Sequence, residues 1–144
     1  MTLQEQFEIE KLQLPTGWHW LMDSLMHMVH GRQQQYVKLL NPDGSKLFDV
    51  TEKPLFKFVF DQTKEKFGCL RLYFHIERVD HDWNVYDESD YERKFSATSN
   101  QIAGYAAALE SISGNICQVS GNRGSIRNVN GWLTCLSDEE FSKL

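Results

Sequence analysis

The sequence predicts an α+β fold, a small antiparallel sheet packed by two main helices. Three observations predict it. Apolar residues recur at helical spacing in two stretches, one within residues 18–29 and one within 91–112. Between them Phe56, Phe58 and Phe60 alternate with Lys57, Val59 and Asp61, and Leu70, Leu72 and Phe74 alternate with Arg71, Tyr73 and His75, the period of half-buried antiparallel strands. The 144 residues, 41% of them hydrophobic, suit a single domain over 1–144 that can bury a core without covalent staples.

Taken in order, Leu3, Phe7, Ile9, Leu12 and Leu14 fit a short first helix that Pro15 and Gly17 end. Trp18, Leu21, Leu25, Met28 and Val29 then mark an amphipathic helix, with Gly31 as its expected stop. A turn is predicted at Asn41–Gly44, where Pro42 presets φ and Gly44 admits a positive one. The two strands follow, joined through "DQTKEKFG", with Gly68 at positive φ and Phe67 anchored in the core. Tyr91, Phe95, Ile102, Tyr105, Leu109 and Ile112 place a long helix on the sheet. Ser89 and Glu92 have capping-box spacing, and Gly114 follows the last turn. The Gly- and Asn-rich tail reads as turns and brief strands. Ser137 and Glu140 form a second capping box, for a short terminal helix.

Charge and cysteine usage narrow the function classes. A formal charge of −5 argues against non-specific nucleic-acid binding, which needs cations to neutralise phosphates. Three cysteines, Cys69, Cys117 and Cys135, do not form a disulfide framework, and reduced thiols in a cytoplasm are expected. "MTLQEQFEIEKLQLP" has no apolar core of a signal peptide, and no apolar run reaches the length of a membrane span.

Three stretches, Gly17–Trp18, "KEKFGCLRLYF" from Lys64 to Phe74, and "CQVSG" with "GWLTCLSDEE" in the tail, together resemble a family of small bacterial and phage proteins. That family has a K-E-K-F-G-x-L-R-x-Y block and a C-terminal C-x-x-C…C-x-x-C tail. The resemblance implies that residues 114–144 form a degenerate zinc-ribbon-like subregion. Cys117 stands at a ligand position of the family, whereas Ser120, Ser137 and Glu140 occupy the other three, and Cys135 lies off the pattern. A serine hydroxyl is not deprotonated as a thiolate is, so no metal is expected, and the tail is expected to be held by an apolar cluster of Ile116, Val119, Trp132, Leu133 and Leu136.

No catalytic constellation and no cofactor motif assembles in the sequence. His27 and His30 read as structural helix residues, Cys69 as a strand thiol, and "SGNRG" as a turn that lacks the length and lysine of a phosphate loop. The sharper signal is "DHDWNVYDESDY". Asp80, Asp82, Asp87, Glu88 and Asp90 supply negative charge for steering, and Trp83 and Tyr86 supply rigid anchors, so this segment is the expected partner-binding surface. The function expected is that of a non-enzymatic inhibitor that occludes a protein with a basic surface. An immunity protein against a cognate toxin and a phage inhibitor of a host defence system are the two forms considered. The competing reading is a nucleic-acid accessory protein that uses the tail, with Arg123, Arg127, Asn122 and Asn128 as a local basic patch.

Overall fold

A computed structural model of the chain describes residues 1–34, 38–40, 47–49, 55–78 and 88–144, and shows an α+β arrangement of helices and two-stranded antiparallel ribbons. Helix α1 (Leu3–Lys11) starts at a reciprocal cap. The Thr2 hydroxyl accepts the Glu5 N–H at 3.1 Å, and the Glu5 carboxylate accepts the Thr2 N–H at 3.3 Å. Its Lys11 ammonium reaches Asp23 at 2.9 Å, which ties α1 to helix α2 (His19–Gln33). A single 3₁₀ turn, Thr16–Trp18, leads into α2. The helix buries Leu21, Met22, Leu25 and Val29, all on the predicted stripe or beside it.

Gly31 does not end α2. A glycine inside a helix costs about 1 kcal/mol relative to alanine. Here the next turn docks on the sheet: the Gln33 side chain donates to the Phe56 carbonyl at 3.1 Å, and the Gln33 carbonyl accepts the Leu55 N–H at 3.4 Å. A short pair follows, β1 (Lys38–Leu40) against β2 (Leu47–Asp49). The turn expected at Asn41–Gly44 lies outside the described residues.

The central ribbon pairs β3 (Phe56–Lys66) with β4 (Cys69–Arg78), from Phe56 opposite Arg78 to Lys66 opposite Cys69. Both strands run longer than their alternation suggested: a register shift between Phe60 and Gln62 interrupts the alternation while the pairing continues. This bulge at Asp61 moves the inward positions from even to odd numbers. Phe56 and Phe58 are buried before it, and Thr63 is buried after it, its hydroxyl bonded to Glu10 at 2.6 Å. "DQTKEK" is therefore strand and not loop.

The turn shrinks to Phe67 (φ 54°) and Gly68 (φ 83°), two positive values as a type I′ hairpin requires. Gly68 thus behaves as expected. Phe67 does not, for it stands 65% exposed. In a two-residue turn the first central side chain projects off the end of the ribbon, away from the core.

Helix α3 (Glu88–Ser113) lies on β4 and stops beside Gly114. Tyr91, Thr98, Ile102, Ala106, Leu109 and Ser113 are its buried positions, whereas Tyr105 and Ile112 are exposed. The burial keeps a mean step near 3.6, and four-residue steps from Ile102 and Leu109 land on Ala106 and Ser113, not on the bulkier neighbours. Ser89 lies inside the helix, so the predicted capping box is not the cap. Glu92 binds Arg78 instead.

Two-stranded ribbons have two open edges. Helix side chains close those of the central ribbon. Gln6 donates to the Phe58 carbonyl at 3.0 Å and accepts the Phe60 N–H at 3.4 Å, while Ser113 and Glu110 accept the Leu70 and Leu72 N–H groups, each at 2.8 Å. Beneath the ribbon, rings of Phe7, Phe58, Phe60 and Phe74 interlock, with Phe7 edge-on to Phe60 at 4.7 Å and Phe58 stacked on Phe74 at 5.1 Å.

The tail carries a second hairpin, β5 (Ser125–Val129) with β6 (Trp132–Leu136), closed by Asn130 (φ 51°) and Gly131 (φ 88°) in the same turn type. Helix α4 (Asp138–Ser142) ends the chain described, with Ser137 as its N-cap.

The two turn glycines allow a controlled test. A Cβ on Gly68 would meet Ile126 side-chain atoms at 3.0 Å, whereas one on Gly131 would meet nothing within 4 Å. Both substitutions to alanine are expected to lower stability by about 1–3 kcal/mol through backbone strain. Gly68→Ala is expected to lose more, because Ile126 must also shift. Urea unfolding of the two variants measures the difference; equal losses would show that Ile126 yields freely.

Candidate functional site

Two regions carry the residues that the sequence singled out. The first joins β4 to α3. Asp80, Asp82, Trp83, Tyr86 and Asp87 lie outside the described residues, and Glu88 is placed only as the first residue of α3. Asp90 is described. Its carboxylate takes Arg93 at 2.5 Å and Lys94 at 3.1 Å, and these hydrogen bonds hold its pKa below the usual carboxylate range. Its charge is thereby met by its own helix, which weakens it as a steering group.

The ends of the segment are fixed. Tyr91 is buried and its hydroxyl donates to the Leu55 carbonyl at 2.5 Å. Arg78, the last residue of β4, lies over the Tyr91 ring at 4.3 Å and reaches Glu92 at 2.5 Å. The strand end and the helix start are thus clamped to each other across residues 79–87.

The second region gathers all three motif stretches around the tail. The Gly17 N–H donates to the Gln118 carbonyl at 2.8 Å, and the buried Trp18 indole donates to the Ile116 carbonyl at 3.0 Å. Gly17 is required here, since a Cβ on it would lie 2.0 Å from the Cys117 carbonyl oxygen. The Gln118 N–H in turn donates to the Cys135 carbonyl at 2.9 Å, and Cys135 Sγ lies 3.3 Å from the Gly114 carbonyl. From the central hairpin, a Cβ on Gly68 would lie 3.0 Å from Ile126, and the Cys69 sulfur would lie 3.1 Å from a Cβ on Gly114.

Within this junction Cys117 is buried and its sulfur acts as an acceptor. Burial pushes the thiol up. The Ser120 hydroxyl and the N–H groups of Ser120, Ser137 and Val119 outweigh that effect and bring it down to about 7. Cys135 goes the other way: burial, then the charges of Cys117 and Cys69, push it up to about 11. The structure does not show the zinc-ribbon-like tail that was expected, and Ser120, Ser137 and Glu140 are engaged locally. Ser120 accepts the Asn122 N–H at 3.2 Å, Ser137 accepts the Glu140 N–H at 3.2 Å, and the Glu140 carboxylate meets Lys143 at 3.1 Å. No three His, Cys, Asp or Glu side chains among the described residues are grouped to hold a metal ion.

The apolar cluster expected to hold the tail is mostly absent. Leu136 is buried and Ile116 is half-buried against the core, but Val119 and Leu133 are exposed, and Trp132 stands 77% in solvent. The tail is held instead by the hydrogen bonds to Gly17 and Trp18 and by the buried Cys117, Cys135 and Leu136. Short strands whose side chains alternate give each residue one face, and only one face of this hairpin meets the rest of the protein.

Sequence reasoning did not foresee a polar cleft of about 390 Å³ lined by Asn115, Arg123, Gly124, Ser125, Arg127 and Asp138. Arg123 and Arg127 come together there. Asn122 and Asn128 do not line it; the Asn128 side chain accepts the Gly131 N–H at 2.8 Å inside the turn. Among the described residues no helix is long and apolar enough to cross a membrane. No family model matches the chain, and neither a curated protein nor a solved structure is similar to it.

Three outcomes are expected from this geometry. Gly17→Ala should destabilise the protein by about 3 kcal/mol or more, because backbone on both sides must move, and chemical denaturation measures it. The purified protein should carry no stoichiometric zinc; elemental analysis giving about one zinc per chain would overturn that. The Cys117 pKa lies below its unfolded value, so its contribution to stability is complete above the unfolded pKa and is lost as pH falls through about 7. The stability gap between the wild type and Cys117→Ala should therefore widen from pH 7 to pH 9, by about 2 kcal/mol at most, and a flat gap would remove the thiolate from the account.

Proposed function

We propose that the chain is a non-enzymatic binding protein that occludes a protein partner, in the manner of an immunity protein neutralising a toxin or a phage inhibitor blocking a host defence protein. The supporting observation is the clamp between Arg78, Tyr91 and Glu92. It joins the two ends of the acidic and aromatic segment to the buried core through Tyr91. A segment tethered at both ends loses less conformational freedom on binding than a free one, and this favours recognition through few anchors.

In this reading Asp80, Asp82, Asp87 and Glu88 steer a basic partner, with Trp83 and Tyr86 as the anchors. Asp90, already paired with Arg93 and Lys94, contributes to holding α3 and not to steering. No cofactor enters this function, and the overall charge of −5 favours a basic protein surface over a nucleic acid.

The test begins with capture of the partner from the native host. Trp83→Ala should then weaken the purified complex by about 2 kcal/mol or more. Asp80→Asn with Asp82→Asn should mainly slow association, and that loss should shrink as salt rises. If Trp83→Ala leaves the complex intact while Arg123→Ala with Arg127→Ala abolishes it, the interface is on the tail and the reading fails.

A further inference from the structure

The polar cleft beside β5 has features of a built site. Its volume of about 390 Å³ falls in the range of small-molecule pockets, roughly 300–1,000 Å³. Its lining is mostly polar and is made by Asn115, Arg123, Gly124, Ser125, Arg127 and Asp138.

Arg127 is held in place before any ligand arrives. Its guanidinium lies 4.6 Å from the centre of the Phe141 ring, its terminal nitrogen binds Asp138, and its Nε is buried without a hydrogen-bond partner. Arg123 makes no ion pair or side-chain hydrogen bond with any described residue. Two guanidinium groups against one carboxylate leave the cleft positive in a chain whose formal charge is −5. Among the described residues that line the cleft the competing anion is Asp138, whose side chain is 98% exposed and free to give way.

The geometry points to this cleft as a binding site for a small phosphomonoester, held between Arg123 and Arg127 with Asn115 and Ser125 as neutral donors. A carboxylate would only repeat what Asp138 already offers Arg127. A phosphate group has a third oxygen for Arg123 and a charge between one and two, and guanidinium groups match its oxygens in pairs. A nucleic acid is the less suitable ligand, because a polyanion needs a track of cations and meets a net negative chain here. The residues that line the cleft are not those of the partner-binding reading, and the inference does not depend on it.

The test is titration of the ¹⁵N-labelled full chain with three probes: inorganic phosphate, a nucleoside 5′-monophosphate and a short single-stranded oligonucleotide. The monophosphate is expected to shift the Gly124 and Ser125 amides at millimolar concentration or below, with inorganic phosphate binding more weakly. Arg123→Gln removes an exposed side chain that holds nothing in place, so it should fold normally and lose about tenfold in affinity or more. Asp138→Asn should bind several-fold more tightly, a gain that loss of a purely structural ion pair would not produce. The proposal is overturned by absent shifts up to about 10 mM of both phosphates. It is also overturned by unchanged affinity in Arg123→Gln, by weaker binding in Asp138→Asn, or by an oligonucleotide that binds more tightly than the monophosphate with steep salt dependence.

Discussion

The close approach of Gly17 and Trp18 to residues 116–118 fixes the tail on the rest of the protein. Main chain meets main chain there, with a hydrogen bond of 2.8 Å from the Gly17 N–H and one of 3.0 Å from the Trp18 indole. No side chain larger than hydrogen fits at position 17. Trp18 is at once the first large core residue of the α2 region and the donor that fixes the tail, so the hydrophobic core and the tail share one anchor. A large amphipathic side chain suits this double role, since its body is apolar and its N–H needs a partner when buried.

The central ribbon poses the opposite problem. Two strands leave about half of their backbone groups unpaired along the two edges, and a lone hairpin is marginal in water. Helices on both sides solve it with side chains. Gln6 and Gln33 serve the β3 edge and Ser113 and Glu110 serve the β4 edge, so α1, α2 and α3 are positioned by hydrogen bonds as well as by apolar packing. This directional component explains why polar residues occupy buried or half-buried places such as Thr63 and Ser113. Each has a partner there, and removing the partner would leave a buried group unsatisfied.

The tail is organised around a buried thiol and a helix cap. Donors that converge on the Cys117 sulfur make it a strong acceptor, and Ser137 caps α4. Hydrogen bonds of this kind contribute about 0.5–1.5 kcal/mol each, far less than a structural metal, so the Gly17–Trp18 anchor has to carry much of the load. On its outer side the same tail holds Arg127 rigidly over Phe141. The scaffold that fixes the fold thus also shapes the cleft.

The α+β class, both long helices, the paired central strands, the positive φ of Gly68 and the Ser137 cap were legible in the sequence. Each is encoded within a few residues, as a period or as a turn or cap residue with its own backbone demand. Local signals failed where a distant partner decided the outcome. Docking of Gln33 on β3 carried α2 past Gly31, and the bulge at Asp61 broke the alternation by which the strands could be read. The α3 stripe kept its pitch onto Ala106 and Ser113, and the two-residue turn put Phe67 in solvent. The meeting of Gly17–Trp18 with the tail spans 98 residues between Trp18 and Ile116, and Arg123 comes to share a cleft with Arg127 only once the turn and the hairpin are folded. Composition and period specify which faces are apolar. Only the packed chain specifies which apolar face meets which, because that choice is made by shape and by hydrogen bonds between groups far apart in sequence.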